Sequence, residues 1–113
     1  MKMHLNGEWV SRDNVQEVLN PYDNSVVDTV PLASVEDVAT AVNSAERGFK
    51  AMKSLSSHDR YSLLMRASEL IEERKEDLAR TITLEEGKVI SEGRVEADRC
   101  KQTIIVSAEE AKR

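Results

Sequence analysis

Apolar residues recur along this chain with two different periods, and the change falls just after Leu32. Before it they form short clusters separated by turn residues, the pattern of strands joined in hairpins. Asn6-Gly7 suits a two-residue turn whose central positions both need positive φ, and Trp9-Val10 supplies the returning strand. Val15 to Leu19 reads as another strand, followed by a turn at Asn20-Pro21-Tyr22-Asp23-Asn24, where proline fixes φ and Asn24 can turn left-handed. Val26 to Val30 completes this second hairpin, which Pro31 closes.

From Ser34 the spacing changes to threes and fours. Val35, Val38, Val42, Ala45, Phe49 and Met52 trace one face of a helix, and Ser34 with Asp37 has the spacing of a capping box at its start. A second helix is predicted from Ser56 or Ser57 to about Glu86, with Leu64, Ala67, Leu70, Ile71, Leu78 and Ile82 inward and the charged run Glu72 to Asp77 in water. Gly87 stops it as a left-handed cap. A third is predicted from Lys88 to Arg113, with Val89, Cys100, Ile104, Ser107, Ala108 and Ala111 on or near one stripe. Its roughly 26 residues carry no stop signal and exceed the ordinary helix length, so the sequence predicts a piece of a longer polypeptide. The expected fold class is α+β: a β-hairpin segment over 1–32 and a three-helix segment over 33–113, together one truncated domain.

Composition narrows the function classes. A chain of 113 residues that is 40% apolar can hold one modest core. Its 21 acidic and 16 basic residues give a net charge of −5 and are dispersed, so no concentrated basic surface is available to neutralise nucleic-acid phosphates. The single cysteine cannot form an internal disulfide, and the N-terminal stretch lacks the apolar run of a secretory signal. No window approaches the roughly 18 to 20 apolar residues that span a bilayer. The expected location is the cytoplasm, with neither membrane nor nucleic acid as partner.

Candidate chemistry clusters between Leu84 and Cys100. Gly87-Lys88 suggests a phosphate loop, but G-x-x-x-x-G-K-[ST] would need glycine at Ile82 and a hydroxyl residue at Val89. The cap reading of Gly87 is therefore preferred, with Lys88 a solvated or structural charge. Cys100 has Glu96 one turn back, which opposes a thiolate, and is expected as a small buried thiol between helices. His4 and His58 with one cysteine lack the spacing of a zinc site. The carboxylate pairs Glu85/Glu86, Glu92/Glu96 and Glu109/Glu110 have Lys88, Arg94, Arg99, Lys101 and Lys112 nearby and read as surface ion pairs. Arg99 shares a helix turn with Glu92 and Glu96. Its guanidinium could receive a bidentate anion, although spacing alone favours an intrahelical ion pair. No catalytic or metal-binding residue is expected in the chain.

Several short motifs occur in a telling order: Asn6-Gly7-Glu8-Trp9, Asn20-Pro21, Val30-Pro31, Asp37-Val38, Ala41-Val42, Ala45, Phe49, Arg60 and Leu84-Glu85-Glu86-Gly87-Lys88. With the charged helix that follows, they resemble the N-terminal part of the aldehyde dehydrogenase superfamily across nearly the whole chain. The sequence departs from the family pattern at Asn24, Met52, Val89 and Gly93, where glycine, tryptophan, proline and alanine are usual. Within the superfamily it looks like lactaldehyde dehydrogenases and the non-phosphorylating, NADP-dependent glyceraldehyde-3-phosphate dehydrogenases.

The resemblance implies an enzyme that oxidises a small phosphorylated or hydroxylated aldehyde to its acid with NAD or NADP. It also implies that the catalytic cysteine, the general base and the nucleotide-binding units lie outside these residues, so that the segment alone is inactive and binds no nucleotide. In the phosphate-handling branch the last helix supplies an arginine to the substrate phosphate, and that Glu-x-x-Arg pattern falls on Glu96-Ala97-Asp98-Arg99. Arg99 is the substrate-binding residue so implied. The expected partners are the remainder of the enzyme chain, the aldehyde and further copies in a homo-oligomer. A reading from another class is a small autonomous helical module that docks a partner through one helix face.

Overall fold

A computed structural model describes every residue from Met1 to Arg113. Asn6 and Gly7 take φ of 52° and 87°, the handedness that lets a two-residue turn join twisted strands. They connect β1 (Met3–Leu5) to antiparallel β2 (Glu8–Val10), with Leu5 opposite Glu8. The second hairpin joins β3 (Val15–Leu19) to β4 (Val26–Pro31), with Val15 opposite Pro31 and an irregularity at Val18/Leu19. Its turn closes through the Asn24 N–H donated to the Asn20 carbonyl at 2.8 Å, with Asn24 at φ 58°. The hairpins remain two separate two-stranded sheets.

Four helices follow: α1 (Val35–Ser54), α2 (Ser57–Glu73), α3 (Lys75–Glu86) and α4 (Ile90–Glu110). The single helix expected up to Glu86 is thus two, divided at Arg74, whose φ −108° and ψ 14° leave the helical region. No glycine or proline announces this bend. It lets the two shorter rods both lie along α4 while touching each other little. The ends at Ser56 and Gly87 follow the sequence reading: Ser56 and Asp59 form a reciprocal capping box, and Gly87 caps α3 at φ 74°.

The chain divides into two compact units, Met1–Ser54 and Leu55–Arg113. In the first, α1 starts as its spacing predicts, with the Asp37 N–H donating to Ser34 Oγ at 3.1 Å and the Ser34 N–H to Asp37 Oδ2 at 3.0 Å. Asp37 also accepts both arms of the Arg12 guanidinium and is only 5% exposed. The apolar stripe of α1 is uncovered: Val35, Val38, Val42, Phe49 and Met52 are all exposed.

The second unit closes differently from expectation. Its predicted inward leucines and isoleucines are half-buried, apart from the more exposed Leu78, and the fully buried positions are small: Ser68, Ala79, Gly93, Ala97 and Ala108. α3 and α4 meet so closely at Gly93 that a Cβ there would stand 2.6 Å from the Ala79 carbonyl oxygen. Two ion pairs flank this seam, Glu76 with Arg94 (2.8 Å) and Lys75 with Asp98 (2.7 Å), and a third, Glu72 with Lys101 (2.8 Å), continues in antiparallel order between α2 and α4. The charged run expected to lie free in water is therefore partly spent on helix pairing.

Candidate functional site

The turn from α3 into α4 builds an open concavity. Gly87 donates its N–H to the Thr83 carbonyl at 3.1 Å, and extended Val89 (φ −64°, ψ 146°) redirects the chain. Lys88 is thereby carried beside the first turns of α4. Ser91, Glu92, Val95, Glu96 and Arg99 repeat at helical spacing on a face of α4 that excludes buried Gly93 and Ala97. With Lys88 they line an open hollow of ≈ 480 Å³.

Charge is shared unevenly within it. Lys88 Nζ lies 3.2 Å from Glu86 Oε2 and 3.3 Å from Glu96 Oε1, and these acids, Glu86 first, raise its pKa above the ordinary lysine value. Arg99 Nη1 reaches only Glu96 Oε2, at 3.7 Å. That is the intrahelical pair which the spacing favours, but it is longer than a hydrogen bond, and the Arg99 side chain is 70% exposed. The guanidinium keeps its donor fork open for a planar or tetrahedral oxyanion.

The other candidates are not gathered here. Cys100 is exposed on α4, not buried between helices as the stripe suggested, because the seam follows Gly93, Ala97 and Ala108 instead. Val89 is exposed for the same reason. His4 stacks edge-on against Trp9, with ring centroids 5.2 Å apart, and His58 neighbours Tyr61. Lys112 pairs with Glu109 at 3.1 Å and sits 3.5 Å above the Tyr61 ring. Sequence reasoning missed Lys88 as a member of the hollow. Lys88 precedes the helix, so helical spacing could not relate it to Glu96.

Comparison with known proteins supplies the context. The model of the aldehyde dehydrogenase family matches residues 9–113. The chain belongs to this family. Among aldehyde dehydrogenases it is 39% identical over 111 residues to the 3-sulfolactaldehyde dehydrogenase of Priestia megaterium, covering 98% of this chain and 23% of that enzyme. It is 35% identical over 106 residues to the lactaldehyde dehydrogenase of Methanocaldococcus jannaschii, covering 94% and 23%. With the glutarate-semialdehyde dehydrogenase of Pseudomonas putida it shares 37% over 112 residues, covering 97% and 23%. The chain therefore spans about a quarter of the length of these relatives and corresponds to an N-terminal segment of the family.

Solved aldehyde dehydrogenases share the fold described above. The NAD-dependent benzaldehyde dehydrogenase of Corynebacterium glutamicum superposes with a TM-score of 0.93 at 28% identity, over 99% of this chain and 25% of its own. The betaine aldehyde dehydrogenase of Staphylococcus aureus in complex with NAD+ gives 0.92 at 28% identity, over 99% and 23%. The hairpins and four helices are a fragment of the aldehyde dehydrogenase fold.

Proposed function

We propose that this segment contributes the substrate-tail contact of an NAD(P)-dependent aldehyde dehydrogenase whose aldehyde is small and ends in an oxyanion. The observation that carries the reading is the open guanidinium of Arg99 in the Lys88–Arg99 hollow. Two similar enzymes are named for 3-sulfolactaldehyde and glutarate semialdehyde, aldehydes that end in a sulfonate and a carboxylate. A bidentate arginine contact suits such tails and equally a phosphate, as in glyceraldehyde 3-phosphate.

Residues 1–113 do not fit the nucleotide themselves. Both sheets are two-stranded antiparallel hairpins, so the βαβ unit that places a pyrophosphate at a helix N-terminus is not formed here. In this reading the nucleotide, which would supply the hydride acceptor, is held by residues outside the segment, as is the catalytic nucleophile. The apolar face of α1 then packs against the remainder of the enzyme chain, and the full-length enzyme works in the cytoplasm as a homo-oligomer.

The test is the Arg99→Ala variant of the full-length enzyme. Its KM for an acid-tailed aldehyde should rise on the order of tenfold to a hundredfold, as expected for a lost hydrogen-bonded charge contact. A neutral aldehyde of equal length should respond far less. Equal effects on both substrates would reduce Arg99 to a structural partner of Glu96. The isolated 1–113 chain should show no aldehyde-dependent reduction of NAD or NADP.

A further inference from the structure

One carboxylate in the hollow stands between two cations. Glu96 accepts a hydrogen bond from Lys88 Nζ through Oε1 at 3.3 Å, while Oε2 faces Arg99 Nη1 at 3.7 Å, beyond hydrogen-bond range. Lys88 has a second acid in Glu86, whereas Arg99 has only Glu96. An anion that settles on Arg99 must therefore meet Glu96 at ion-pair distance. Glu96 can yield the guanidinium without losing every partner, because Lys88 already holds its other oxygen. A neutral substrate tail makes no claim on the guanidinium and leaves the Glu96–Arg99 contact in place. An oxyanion replaces the loose contact with a bidentate one.

We propose that Glu96 is the positioning residue that limits the selectivity of this hollow for oxyanion-tailed aldehydes, competing with the substrate for Arg99, and that Lys88 restrains this competition by holding Glu96 back. The inference rests on Arg99 meeting the substrate tail, and it adds a built-in competitor to that contact. Removing the competitor favours the anionic substrate, and removing the restraint disfavours it.

The experiment measures KM and kcat in the full-length enzyme for a sulfonate-tailed aldehyde and a neutral one of equal length. Variants are Glu96→Gln, Lys88→Met, their combination and Arg99→Ala. Glu96→Gln should lower the ratio of sulfonate to neutral KM about tenfold, with the kcat ratio steady. Lys88→Met should raise the KM ratio several-fold by letting Glu96 close on Arg99, and most of this effect should vanish in the Glu96→Gln background. A KM ratio that Glu96→Gln moves by less than about twofold, or a Lys88→Met effect undiminished in that background, overturns the inference. If Arg99→Ala is selective for the sulfonate while Glu96→Gln is silent, the inference fails and the functional reading stands. If Arg99→Ala affects both aldehydes alike, the functional reading itself fails.

Discussion

Met1–Ser54 leaves Phe49 67% exposed and buries the carboxylate of Asp37, whereas Leu55–Arg113 buries alanine, glycine and serine where its helices cross. The first unit rests on directed polar contacts: the Arg12–Asp37 fork, the Ser34 cap and the Arg47 hydrogen bond to Asn6 Oδ1 at 2.6 Å. The second rests on close backbone approach, with ion pairs on its rim. The difference teaches that a periodic apolar stripe reports what a helix is built to bury, and not whether its own unit supplies the cover. Close helix packing, by contrast, is governed by residues that hydrophobic periodicity ranks low.

The sharpest way to break this comparison is a pair of glycine substitutions in the 1–113 chain. Gly93→Val should destabilise by about 2–3 kcal/mol, since its side chain has no space beside the Ala79 carbonyl and α4 must shift. Gly48 on α1 has nothing within 4 Å of an added Cβ, so Gly48→Ala should gain up to about 1 kcal/mol of helix propensity. Urea denaturation followed by circular dichroism measures both. Similar responses at the two glycines would erase the distinction between the units.

A smaller effect should separate the units by pH. The Arg12 hydrogen bonds, followed by the Ser34 N–H, hold the Asp37 carboxyl well below the usual carboxylate range. A carboxyl depressed in the folded state stabilises fully above its unfolded pKa, about 3.9, and loses that contribution as pH falls toward the folded value. Trp9, the only tryptophan, lies in the first unit and reports on it. Asp37→Asn should lower the denaturation midpoint read from Trp9 fluorescence at pH 7, and the gap from wild type should narrow below about pH 4. A gap that stays constant to pH 2 would show that the Arg12–Asp37 fork contributes little.

The smallest change in stability is expected on the stripe of α1. Phe49→Ser should alter the stability of the 1–113 chain by less than about 0.5 kcal/mol, because the ring touches little that it could lose. It should nonetheless reduce self-association in sedimentation experiments, since an exposed apolar face is adhesive. A loss of 2 kcal/mol or more, as for truncation of a packed phenylalanine, would place Phe49 in a core.

Local order was legible wherever neighbours in sequence decide it. Asn6-Gly7, Asn24, Ser34 with Asp37, Ser56 with Asp59, and Gly87 set turns and caps through φ preferences and hydrogen bonds spanning at most four residues. The likeness to aldehyde dehydrogenases was readable for the same reason, being carried by short motifs in order. Arg99 was singled out through the family resemblance, and the intrahelical pair with Glu96 that its spacing favoured is local too.

What the tertiary structure alone decided depends on residues distant in sequence coming together. The bend at Arg74 lies in a run of good helix formers, and its sense appears only when α2 and α3 are seen along α4. Exposure of Cys100, burial of Gly93 and the joining of Arg12 to Asp37 likewise follow from which surfaces meet. Lys88 enters the hollow through a turn that helical periodicity does not describe. Backbone preference acts over one to four residues and is written in the sequence itself, whereas packing partners are chosen by shape and distance in three dimensions.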